Sequence, residues 1–98
     1  MKLTQSNHRH KYYYEGMTHI IEFKFKNSVD RKLYVSMCRD LTELYGPAKI
    51  ETGVQYWDWK WNENYRTESN MYAKRLRIYL KDGADATLLM LKLGHNNG

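Results

Sequence analysis

Gln55-Tyr56-Trp57-Asp58-Trp59-Lys60-Trp61 holds all three tryptophans of the chain, on alternate residues. Alternation of this kind marks a strand, whose successive side chains point to opposite faces. One face is then all indole, and the other carries Tyr56, Asp58 and Lys60. An indole buries on the order of 200 Å², so the expectation is that the tryptophans turn inward and form much of a small core. The opposite face stays wet and available to a partner.

Upstream, residues 18–26 alternate as well, with His19, Ile21, Phe23 and Phe25 on one side and Ile20, Glu22, Lys24 and Lys26 on the other. That is a strand with one buried face. Asn27 or Ser28 then caps a helix, and Asp30 in its first turn suits the positive end of the helix dipole. Val29, Leu33, Met37, Leu41 and Leu44 recur at helical spacing, with Cys38 and Tyr45 beside the stripe. Gly46 supplies a left-handed stop and Pro47 bars continuation. The helix charges Asp30, Arg31, Lys32, Arg39, Asp40 and Glu43 cancel, so its outer side reads as solvated surface. Gly53 marks a bulge or bend on the way into the tryptophan strand.

Downstream, residues 62–70 contain no aliphatic side chain and read as a long polar loop, with Tyr65 and Arg66 as its contact residues. Residues 72–81 alternate again: Leu76, Ile78 and Leu80 one way, Arg75, Arg77, Tyr79 and Lys81 the other. Asp82-Gly83 is a turn signal. Residues 86–93 read as a strand closing a hairpin with 72–81; a helix capped by Asp85 and ended by Gly94 is the alternative. Residues 1–11, with His8, Arg9, His10 and Lys11, form a flexible basic arm, and residues 95–98 a disordered tail. Tyr12, Tyr13 and Tyr14 favour extended chain that Gly16-Met17 turns back, and whether they join the sheet is open. Met17 also reads as an alternative start that would make the arm dispensable.

The sum is one α+β domain over residues 12–94. It has a mostly antiparallel sheet of roughly four or five strands and one main helix packed on one face, in β-α-β-β-β order. Ninety-eight residues leave no room for a second independent core. The formal charge of +5, from 16 Lys+Arg against 11 Asp+Glu, favours acidic partners. A single cysteine, Cys38, excludes an internal disulfide and a multi-cysteine zinc site within one chain. The first residues lack the apolar run of a signal peptide, and nothing approaches the ~18 apolar residues of a membrane span. The expected setting is the cytoplasm (the host's, for a virus-encoded chain), with no membrane partner.

The expected docking surface is an open basic and tyrosine-bearing sheet face of Lys24, Lys26, Tyr56, Lys60, Arg75, Arg77, Tyr79 and Lys81, joined by Tyr65 and Arg66. Cations neutralise phosphates while flat rings stack on unpaired bases. Charged residues also alternate with apolar ones on any half-buried strand, and the glycine-aromatic pattern of RNA-recognition sheets is absent. Asp58-Trp59-Lys60 is a carboxylate-x-lysine step of the kind metal-dependent nucleases use, but it needs a further acid, such as Glu51 or Glu22, beside the metal. His8-Arg9-His10 would need His19 or an acid alongside to hold a transition metal. Cys38 reads as a small buried hydrophobe.

The reading is therefore a non-enzymatic binding module with no catalytic residue, metal or cofactor. Its expected partner is single-stranded nucleic acid or a complex that handles it. The alternative is a protein–protein interaction or inhibitor domain, such as a virus- or mobile-element-encoded accessory protein. A homodimer through a free sheet edge is a further expectation, and a metal-dependent nuclease the most distant one.

Overall fold

The computed structural model describes residues 1–10, 12–54 and 57–95. The strands are β1 (Lys2–Gln5), β2 (His19–Lys24), β3 (Lys49–Val54), β4 (Trp57–Trp61), β5 (Tyr65–Asn70) and β6 (Arg75–Leu80). Two helices join them: α1 (Ser28–Tyr45) between β2 and β3, and α2 (Gly83–His95) after β6. All six strands form one antiparallel sheet in the order β1-β2-β6-β5-β4-β3. The fold class is α+β as expected, with an extra strand and a second helix.

Both helices pack on one face. Leu33, Met37 and Leu41 of α1 and Ala86 and Leu89 of α2 bury against Ile21, Phe23, Leu76, Ile78 and Leu80. Val29 and Leu44, expected in the helix stripe, are exposed. Asn27 caps α1 by accepting the Asp30 amide at 3.0 Å. The Asp30 carboxylate in turn accepts the Lys24 amide at 2.7 Å and the Met1 ammonium at 2.8 Å, tying β1, β2 and α1 together. Gly46 ends the helix with φ of 90° and ψ of 173°. That is a glycine-only extended region rather than the expected left-handed helical one.

Further expectations differ from the structure. Residues 86–93 are helical: Ala86, Leu89 and Met90 meet the core at helical spacing, and Asp82 Oδ1 accepts the Ala84 amide at 2.8 Å at the helix start. The partners of β6 are accordingly β5 and β2. Residues 62–70 are mostly strand, because the turn closes tightly: the Asn62 amide donates to Tyr65 O at 2.9 Å and the Asn64 amide to Asn62 Oδ1 at 3.0 Å. Within the expected basic arm, residues 2–5 form β1, which pairs with β2 through Leu3 opposite Ile21. The register shift in β3 falls between Ile50 and Thr52, ahead of Gly53.

The largest correction concerns the tryptophans. Trp59 stands opposite Glu68, which stands opposite Arg77, which stands opposite Glu22. Trp59 and Trp61 therefore share the face of the arginines, away from the helices; the Trp57 side chain lies outside the description. That far face carries its own small core of Tyr12, Met17, Ile20 and Tyr79, with Trp59 packed against it. A single 3₁₀ turn, Tyr13–Glu15, lies in the segment that crosses it, and Gly16 with φ of 87° turns the chain back toward β2. The far face is thus partly roofed.

Candidate functional site

The roof stops short of the β5–β6 end of the far face. There Arg9, His10, Trp59, Arg75, Arg77 and Tyr79 line a recess of about 460 Å³. Its position follows from two local features. Asn7 folds the chain into a tight turn: its Oδ1 accepts the Arg9 amide at 2.9 Å, and its own amide donates to His10 Nδ1 at 3.0 Å. Asparagine is suited to this side-chain-to-backbone turn. Strand alternation in β4 and β6 then brings Trp59, Arg75, Arg77 and Tyr79 to the same face.

Beside Trp59 and Arg77 lies Glu68, fully buried. A carboxylate in this position is costly without partners. Tyr79 donates its hydroxyl to Glu68 Oε1 at 2.8 Å, and Arg75 Nη1 stands 3.6 Å from Oε2. Oε2 accepts no hydrogen bond among the described residues. Arg77 donates to the Tyr79 hydroxyl at 3.5 Å and pairs with Glu22 at 3.2 Å. Burial pushes the Tyr79 phenol up to about 12, the Arg77 bond works against this and Glu68 adds to it, so Tyr79 stays a donor. Burial alone would lower the Arg77 pKa, but Tyr79, Glu22 and Glu68 outweigh it and hold the guanidinium charged.

The cations of the recess are unequally committed. Arg77 is held by two partners, whereas Arg75 is about 42% exposed and only loosely paired. Arg9 is exposed and makes no ion pair among the described residues. Three guanidiniums and an imidazole beside a half-buried indole place several cationic and polar donors next to one flat ring.

The other expected contact residues scatter. Lys24 lies opposite Arg75 at one end of the sheet, and Lys26 is exposed in the following turn. Lys81 is exposed just past the other end of β6. Lys60 faces the helix side, 3.5 Å from Asp58, in a groove shared with Tyr34, Cys38 and Thr67. Tyr65 is in the core and donates its hydroxyl to Gly46 O at 2.9 Å. Arg66 is tied down by Glu15 at 3.4 Å, by a bond to Asn62 O and by stacking over Tyr12 and Trp61. Tyr79 belongs to the far-face core, and Tyr56 lies outside the described residues.

Burial pushes the Cys38 thiol up to about 11, which makes it a poor nucleophile at neutral pH. Among the described residues no three His, Cys, Asp or Glu side chains are placed to hold a metal ion. Nor, among them, is any helix long and apolar enough to cross a membrane.

Sequence reading missed Arg9, His10, Trp59 and Glu68 as a group. The usable signal was Asn7, whose turn-forming habit argues against a free arm. No family model matches this chain, and comparison with curated proteins and with solved structures found no match.

Proposed function

We propose that this domain is a non-enzymatic binding module that takes a polyanion, single-stranded nucleic acid, at the recess of Arg9, His10, Trp59, Arg75 and Arg77. The observation that carries the reading is the convergence of three guanidiniums on a half-buried indole, in a chain with a formal charge of +5. Phosphates are met by Arg9 and Arg75, the two cations least committed to internal carboxylates. An unpaired base meets the Trp59 indole and the Arg75 guanidinium there. Arg77 serves chiefly to neutralise Glu22 and Glu68, so it shapes the recess more than it supplies charge to a ligand.

The test is a salt titration of binding to fluorescent single-stranded DNA and RNA. Arg9→Gln is the informative variant, because its exposed side chain leaves the buried network intact. The expected result is a steep fall of affinity with salt and a loss of about one from the log–log slope in Arg9→Gln. Absence of binding at low salt, or an unchanged slope in the variant, overturns the reading. A protein-only interaction domain is favoured by a different surface, the leucines exposed along the two helices.

A further inference from the structure

The helical side carries an apolar cleft that the recess does not use. Asp40, Leu41, Glu43 and Leu44 of α1 face Asp85, Leu88, Leu89 and Lys92 of α2 across a cavity of about 400 Å³. Its floor is the outer edge of the core, since Leu41 and Leu89 are buried. Its lips are not: Leu44 is 62% exposed and Leu88 64%. Two large leucines held out of the core on the facing lips of one cleft mark an interaction surface, because isolated exposed leucines need no explanation but a facing pair over an apolar floor does.

The charges around the cleft say what fits it. Although the chain as a whole is basic, this rim is acidic, with Asp40, Glu43 and Asp85 against the one cation Lys92. Lys92 is already spent on Asp40 at 3.3 Å, and Asp85 accepts the Tyr45 hydroxyl. Glu43 has no ion pair among the described residues. A symmetric pairing of two copies about this cleft would bring one acidic rim, with Glu43 and Asp85, against another, and an anionic lipid surface would meet the same repulsion. The complementary occupant is apolar along one stripe and cationic along its borders.

We infer that the α1–α2 cleft docks a basic amphipathic helix of a partner protein. The helix lays leucine-like side chains at i, i+3 or i+4, and i+7 between Leu44 and Leu88, with Lys or Arg beside Glu43 and Asp85. On α2 the cleft is lined from Asp85 to Lys92, a wall about 12 Å long that seats about two turns of a helix. This surface is independent of the recess on the opposite face, so either stands if the other fails.

The probe is a fluorescein-labelled 14-residue leucine–lysine helix with that spacing, compared by anisotropy with its leucine–glutamate counterpart. The whole domain is expected to prefer the lysine peptide at least tenfold, and Leu44→Ser with Leu88→Ser to abolish the preference while leaving the far-ultraviolet circular dichroism unchanged. Glu43→Lys should weaken the lysine peptide several-fold and strengthen the glutamate one. Equal binding of the two peptides, or equal binding by wild type and the leucine variant, overturns the inference. So does sedimentation of the free chain as a dimer that Leu88→Ser returns to monomer, since a second copy would then be the occupant.

Discussion

At the scale of single residues, the far face depends on Glu68. It is enclosed beside Tyr79, Arg75 and Arg77, so removing a guanidinium leaves a buried negative charge under-compensated. Arg77→Ala is expected to cost about 3 kcal/mol in urea unfolding, and Glu68→Gln in the same background to recover part of it. Additive costs would show that the two side chains are not coupled. Asp30 gives the residue-scale pH prediction. Burial raises its pKa, but the Met1 ammonium, the Lys24 amide and the nearby charges outweigh this and hold it below the ordinary carboxylate value. A lowered folded pKa means the stabilisation is complete above the unfolded pKa, about 3.9, and drains away as pH falls through the folded value. Asp30→Asn should therefore lose about 2 kcal/mol at neutral pH and show a flatter stability profile below about pH 4. An identical acid limb in both proteins would contradict the assignment. At Gly46, with φ of 90° and ψ of 173°, alanine should cost about 1–3 kcal/mol by thermal unfolding.

At the scale of elements, some spans are legible in the sequence because a local cause fixes them. The α1 span follows from Asn27, the Leu33–Met37–Leu41 stripe and Gly46-Pro47, all of which act within a few residues. The inner faces of β2 and β6 follow from the alternation of Ile21 and Phe23 and of Leu76, Ile78 and Leu80. The orientation of β4 was not legible, because alternation tells which residues share a face and is silent on which face that is. Only the pairing of Trp59 with Glu68 and of Glu68 with Arg77 decides it, and that register is a long-range fact. β5 was hidden for a related reason: its buried positions are Tyr65, Thr67, Glu68 and Asn70, polar side chains that leave no apolar alternation to read. The recess was invisible because Arg9 and His10 come from the first ten residues and Arg75 and Arg77 from β6.

The same scale carries a prediction about the first residues. β1 pairs along β2, Ser6 donates to Met17 O, and Tyr12 lies edge-on to Trp59 and Tyr79 at 5.8 and 4.9 Å. A chain begun at Met17 would expose Ile20 and Tyr79 and leave β2 as an unpaired edge. It should lose at least about 3 kcal/mol, read as a lowered urea midpoint. An unchanged midpoint would restore the picture of a dispensable arm.

At the scale of the whole molecule, the sheet separates two cores and the two surfaces proposed for binding. The helical side holds the main core and the acidic leucine cleft; the other side holds the aromatic core and the cationic recess. Roofing by the Tyr12 segment removes the broad open face that alternation suggested and concentrates the usable charge at one end. The proposed partner is therefore met by a few side chains around Trp59, which limits the site to a short length of single strand.

That claim is tested most directly by placing the emission on the indole itself. In a chain with Trp57→Phe and Trp61→Phe, Trp59 is the sole tryptophan, and oligo(dT) is titrated at low salt while anisotropy and emission are followed together. The account predicts quenching of Trp59 that tracks the binding curve and is weakened several-fold by Arg9→Gln. Binding with Trp59 emission unchanged would put the polyanion elsewhere on the molecule and contradict it.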